Sequence, residues 1–271
     1  MWGIGTGDAT PTTNYPHKLT MLPSWGLPTV YFIRHGQAGS RQDYDRLSDV
    51  GREQADLLGA WLARRRMHFD EAWSGRLNRQ RGTAEAVRQG YQNGGGDAFP
   101  PIRLHPCWDE FDLDAVYRGI APQLAAHDPE FRGQCDDLER QAGDAASPVH
   151  RAWAKCDTTI IRAWIDGRYE FEGESYQDFV TRVSNAPMLT GTMLAGTGNV
   201  AVFTSATPAA VWAAKALDLT FTGLGGRKTM QLAGVTYNTG VTVVKVDAER
   251  VRLFQFNTVP HIEAAELLTH R

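Results

Sequence analysis

Three consecutive residues, Arg34-His35-Gly36, combine a guanidinium, an imidazole and a glycine that lets backbone come close to a ligand. Such a set suits a tetrahedral anion, because the guanidinium offers a fork of donors and a neutral imidazole offers a lone pair. The same three letters also fit a buried histidine satisfied by its neighbours, so their weight depends on what else converges on them. A second basic stretch, Ser74 to Glu85, carries Arg76, Arg79 and Arg81. Arg79 falls near the start of a helix, where backbone N–H groups also favour anions, and at least two of the three arginines are expected to be plain surface charges. Glu110 is a candidate to sit above the same pocket.

The elements around these residues say how they would be held. Thr29 to Ile33 is a short β-branched and aromatic run, a buried strand that stops at Arg34. In open α/β sheets ligands bind just beyond the carboxyl ends of strands, which is where His35 falls. Ser48 is positioned to cap a helix in which Ala55, Leu58, Leu62 and Trp61 recur at helical spacing, ending in Arg64-Arg65-Arg66. Phe69 to Trp73 reads as a second strand, Asn78 to Gln89 as a second helix, and Ile102 to His105 as a third strand. From Asp112 to about Tyr169 the chain turns helix-like and polar. A helix from about Ser175 to Leu194 precedes the strand Asn199 to Phe203, and another spans about Pro208 to Leu217. Val241 to Val246 and Val251 to Phe256 alternate on either side of Asp247 to Arg250, which is a hairpin. The expected fold is therefore an α/β three-layer sandwich, with a mostly parallel sheet, an antiparallel edge and helices on both faces. Residues 1–25 read as a flexible tail, and 26–271 as one domain with a helical insertion at about 112–170.

Composition limits the partners. The 271 residues carry 28 Lys and Arg against 31 Asp and Glu, a net charge of −3, which argues against broad binding to nucleic acid or anionic lipid. Cys107, Cys135 and Cys156 are too few and too scattered for a disulfide framework or a CxxC metal site. No run reaches the ~18 apolar residues a membrane helix needs. The first 25 residues lack a basic start followed by an apolar core, so a cytoplasmic protein is expected. Apolar helix faces serve cores and interfaces alike, which leaves the oligomeric state open.

Taken together, the segments resemble the histidine phosphatase superfamily, the phosphoglycerate-mutase-like family. The matching stretches are Val30 to Ala38, Leu47 to Ala55, and Phe69 to Glu85 with its Ser-x-x-Leu-x-Arg and Thr-Ala-Glu pattern. Glu174-Ser175 with Arg182, Asn199 to Ala210 and Asn257 to Ile262 match more loosely. The resemblance implies that His35 is a nucleophile forming a phosphohistidine, that Arg34 and Arg79 hold the phosphoryl oxygens, and that Glu110 gives a proton to the leaving oxygen. It implies no metal and no cofactor, and a small phosphorylated substrate or a phosphoprotein as partner. Gln37 is a further possible contact, and His261 matches a histidine that is read as structural.

One departure stands out. The family carries a second active-site histidine after the late strand, usually in Ser-His-Gly, and here the aligned residue is Ser205. A hydroxyl can donate to a phosphoryl oxygen but carries no charge. Thr204 and Thr207 could add hydroxyls, and His105 is the best candidate for a substitute histidine, although a strand or loop histidine is more often structural. The expected activity is a phosphomonoester phosphatase. Its rivals are a weakly active or inactive phospho-ligand-binding protein and a phosphoglycerate mutase, the latter disfavoured because Gln37-Ala38-Gly39-Ser40 departs from the mutase motif. Gly223 to Thr229 imitates a phosphate-binding loop, but Arg227 stands where such a loop has glycine before Lys228, and a flexible connection is expected there.

Overall fold

The computed structural model describes residues 28–39, 43–141, 149–186, 198–246 and 250–270. The expected tail at 1–25 lies outside them. Among the described residues six strands form one sheet: β1 (Thr29–Arg34), β2 (Glu71–Ser74), β3 (Ile102–Leu104), β4 (Asn199–Thr204), β5 (Val241–Val246) and β6 (Val251–Thr258). Their order is β3-β2-β4-β1-β5-β6. The first four run parallel, while β5 and β6 are antiparallel to their neighbours and form the edge.

The central strands are apolar on both sides because helices cover both faces. From β1, Val30 and Phe32 enter one core while Ile33 enters the other. The Ile33 side is closed by α1 (Asp49–Arg64) and α2 (Asn78–Asn93), through Ala55, Leu58, Leu62 and Val87. Fully burying a side chain of this size contributes about 1.5–3 kcal/mol, so a handful of such contacts fixes the helices on the sheet. Helix α1 starts where its sequence says it should: the Ser48 side chain accepts from the Gly51 N–H at 3.0 Å.

The opposite face carries α6 (Tyr176–Ser184), α7 (Ala206–Ala216) and α8 (Gly223–Gly234), with Phe179, Val211 and Trp212 in the core beside Phe32. The polar stretch after Asp112 forms α3 (Leu113–His127), α4 (Pro129–Gln141) and α5 (Val149–Ile165). Helix α5 packs on α6 and α8, and Ile120, Ile160 and Trp164 join the same core.

Three departures from the sequence reading bear on the site and its packing. Helix α7 begins two residues earlier than expected, because Pro208 sits in its first turn, where no intrahelical N–H is needed. Helix α6 ends at Ser184, with Asn185 as its cap, and residues 187–194 of the expected longer helix lie outside the described residues. The third correction is larger: Gly223 to Thr229 is not a connection but the start of α8. A Cβ on Gly226 would stand 2.7 Å from Ile165 Cγ2, so the glycine that reads as a loop signal is a packing residue.

Candidate active site

His35 follows directly on β1, and its backbone N–H donates to the Thr204 carbonyl at 2.8 Å, tying it to the end of β4. The side chain is buried. Its Nδ1 lies 2.8 Å from the Gly36 carbonyl oxygen. A carbonyl only accepts, so Nδ1 carries the proton and Nε2 keeps a lone pair in the neutral ring. Arg79 Nε donates to that Nε2 at 3.3 Å.

Arg79 lies in the first turn of α2 and is buried like the imidazole it meets. Its guanidinium stacks on Tyr44, 4.8 Å from the ring centroid, and its Nη1 donates to Asp45 Oδ1 at 3.0 Å. Tyr44 also meets the His35 ring edge-on at 6.4 Å. Asp45 Oδ2 accepts from the Asn78 N–H at 3.2 Å, satisfying a donor at the start of α2. Neither Tyr44 nor Asp45 is singled out by the sequence, since nothing marks either within a polar loop.

Ser205 follows the last paired position of β1 and β4, Arg34↔Thr204, just as His35 does. The two side chains therefore leave adjacent strand ends. Ser205 is buried, and its Oγ accepts from Gln80 Nε2 at 2.9 Å. Gln80, also fully buried, gives its other amide hydrogen to the Trp108 carbonyl at 3.0 Å. The Thr204 hydroxyl donates to the same carbonyl at 2.6 Å. Trp108 and Trp212 belong to the core, as packing residues.

Glu110 arrives from the loop after β3. Its Oε2 accepts from the Thr207 N–H and its Oε1 from the Phe111 N–H, each at 3.2 Å. Burial pushes its pKa up; the Thr207 and Phe111 hydrogen bonds and the Arg79 charge oppose that rise. The loop that delivers it is clamped from both sides. Asp109 accepts from the Arg76 N–H at 2.6 Å and pairs with that guanidinium at 2.7 Å, while Arg182 Nη1 reaches the Asp109 carbonyl at 3.2 Å. Arg182 in turn holds Glu174 through two bonds, of 2.6 and 2.8 Å.

The remaining candidates have partners of their own. Arg34 extends its Nη1 to the Thr236 carbonyl, and its backbone N–H donates to the Gly240 carbonyl at 3.1 Å. His105 Nδ1 accepts from the Cys107 N–H at 3.2 Å and so caps the short 3₁₀ turn Pro106–Trp108. Gln37 Oε1 accepts from the Ser48 hydroxyl at 3.0 Å, next to the cap of α1. Gly36 is also a packing position: a Cβ there would collide with the Gly51 backbone of α1.

His261 Nε2 lies 2.8 Å from the Thr239 hydroxyl, which itself donates to the Asn238 carbonyl at 2.7 Å. Thr239 has φ of 54°, a left-handed conformation that a β-branched residue holds only when its surroundings fix it. Its N–H donates to the His35 carbonyl at 3.3 Å, so His261 supports the backbone under the site. Burial lowers the His261 pKa to about 4.

Residues 30–143 match the family model for the histidine phosphatase superfamily, branch 1. That is the family whose motifs the chain resembles. Among curated proteins, the mitochondrial serine/threonine-protein phosphatase Pgam5 of Caenorhabditis briggsae is 22% identical over 157 residues, covering 54% of this chain and 52% of that protein. The match thus spans about half the length of this relative. Among solved structures, phosphoglycerate mutase of Bacillus anthracis shares the fold at a TM-score of 0.52 and 17% identity, covering 87% of this chain and 95% of that one. The alpha-ribazole phosphatase of Shigella flexneri does so at 0.53 and 18%, covering 85% and 96%. These likenesses show that the shared fold runs beyond the stretch matched by the family model. Among the described residues no helix is long and apolar enough to cross a membrane.

Proposed function

We propose that the protein is a phosphomonoester phosphatase working through a phosphohistidine on His35. The single observation that carries this reading is the pairing of the two ring nitrogens: Nδ1 against the Gly36 carbonyl, Nε2 against Arg79. It leaves the nucleophilic lone pair beside a guanidinium able to hold the anion under attack.

In the proposed sequence, the Nε2 lone pair attacks phosphorus and the ester P–O bond breaks. The leaving oxygen takes a proton from Glu110. A water then attacks the phosphohistidine, giving its proton back to the Glu110 carboxylate as the P–N bond breaks and phosphate departs. A carboxyl whose pKa burial has raised is suited to both steps, because it can be protonated in the first and accept a proton in the second. Arg79 and Arg34 are the proposed ligands of the phosphoryl oxygens, so the reaction draws its positive charge from guanidinium groups without calling on a metal or cofactor.

Small phosphomonoesters and phosphoproteins are the proposed substrate classes, the second favoured by the protein-phosphatase name of the Caenorhabditis relative. Ser205 favours a second reading, a slow phosphate binder of the same fold, because a neutral hydroxyl stabilises developing charge less than an imidazolium would. Turnover of p-nitrophenyl phosphate, measured beside His35→Ala, separates the two. Activity abolished in the variant supports the enzyme; activity that survives it removes the mechanism; phosphate binding with no turnover in either chain favours the binder.

A further inference from the structure

Resting on the phosphatase reading, we propose that Gln80 is a positioning residue that makes the Ser205 hydroxyl a donor to the phosphoryl group, the pair standing where the family uses a second histidine. The direction of the hydrogen bonds carries the argument. The Trp108 carbonyl can only accept, so the atom of Gln80 3.0 Å from it must be the amide nitrogen. The same nitrogen is 2.9 Å from Ser205 Oγ, so the Ser205 oxygen accepts there. A hydroxyl that accepts from one side keeps its own proton to give elsewhere. With its oxygen held by Gln80, Ser205 can turn that proton toward the end of β1, where His35 stands one residue beyond the last β1–β4 pair.

Two further observations set this serine apart from a structural one. Ser205 occupies the N-cap position of α7, yet its side chain accepts no bond from the helix backbone. Capping by serine is worth roughly 1 kcal/mol, and here the oxygen is given to Gln80 instead. Gln80 itself is fully buried, a costly place for an amide unless its hydrogens are used, and both are used. Its Oε1 also accepts from the Leu77 N–H at 3.4 Å and caps α2, so the Ser205 bond is the part of its set that a purely structural role leaves without a purpose.

The test is a double-mutant cycle of Ser205→Ala and Gln80→Leu, read as kcat, KM and affinity for orthovanadate. Each single change is expected to lower kcat by about 10- to 100-fold with little change in KM, since the donor matters most to the charge that develops during transfer. The double variant is expected to be no more than about twofold worse in kcat than Ser205→Ala, because Gln80 reaches the phosphoryl group through the serine, while its bonds to the Trp108 carbonyl and the Leu77 N–H bear on stability. Ser205→Thr, which keeps the hydroxyl, is expected to recover most of the loss. Orthovanadate affinity should fall in step with kcat. Losses that multiply in the double variant, or wild-type kcat and vanadate affinity in Ser205→Ala, would overturn the proposal. If the native chain binds orthovanadate without turning over ester, the cycle is read on affinity alone, with the same expected non-additivity. Failure of the enzyme reading is seen separately, in His35→Ala.

Discussion

Glu110 shows how one residue's chemistry is set by its neighbours. Burial raises its pKa, and two backbone N–H groups fix both of its oxygens. If it donates the proton to the leaving group, activity should fall as pH rises through its pKa, which lies above the ordinary value of 4.5. Glu110→Gln should lose that limb of the profile and reduce kcat by roughly 100- to 10,000-fold on an alkyl phosphate, with a much smaller loss on p-nitrophenyl phosphate. Equal losses on both would assign Glu110 to phosphate binding or to structure. At this scale the sequence marks His35, Arg79 and Glu110 as candidates, through the segments that resemble a known family, and the structure gives each a buried setting or buried partners. Gln80, Tyr44 and Asp45 are not marked, since what they do depends on contacts with residues far away in the chain, such as Ser205 for Gln80. His105 is ambiguous in sequence for a related reason: an imidazole reads alike whether it caps a turn or faces a phosphate, and here it accepts from the Cys107 N–H.

Between elements, close approach of backbones sets the positions from which these side chains reach out. Helices α1 and α2 touch where Gly90 meets the Asp56 carbonyl, and a Cβ on Gly90 would collide with that oxygen. Alanine is about 1 kcal/mol better than glycine in a helix interior, yet overpacking against rigid backbone costs about 1–3 kcal/mol or more. The second effect should win. Gly90→Ala is expected to lower the urea midpoint despite its better propensity, and a rise in the midpoint would mean that the two helices separate freely. Strands β1 and β4, the β5–β6 hairpin and the Ser48 cap follow from local patterns of apolar and capping residues. Helix α8 does not, because Gly223, Gly225 and Gly226 look like a loop until Ile165 and Tyr176 are seen packed against Gly226.

Across the whole molecule, the last segment of chain supports the first strand. His261 holds Thr239, and Thr239 holds the His35 carbonyl. His261 Nδ1 finds no partner among the described residues, and the buried ring resists protonation, with a pKa of about 4 against 6.5 for a free histidine. Its unfolded form thus binds protons more readily than its folded form. The stability it contributes is present above pH 6.5 and is lost as pH falls through about 4, a loss worth about 3 kcal/mol in full. Glu110, with its raised pKa, runs the opposite way: its contribution is whole below pH 4.5 and declines as pH rises through the folded value. Urea midpoints at about pH 7.5 and about pH 4 should therefore lie closer together in His261→Gln than in the native chain, and an unchanged gap would place the acid sensitivity elsewhere. The layered fold was readable as a pattern of alternating strands and helices, and the family comparisons bear it out. How the insertion helices α3 to α5 join the core was not, because a polar, helix-like stretch does not say which face it will cover.

The central claim is a covalent bond between phosphorus and one imidazole, and trapping that bond tests it most directly. The protein is mixed with a ³²P-labelled aryl phosphate, quenched in alkali within the first turnover and mapped by peptide. The account predicts label on the peptide containing His35, stable to alkali and lost in acid, and none in His35→Ala. Label retained in that variant, or native turnover with no label on His35, would contradict it.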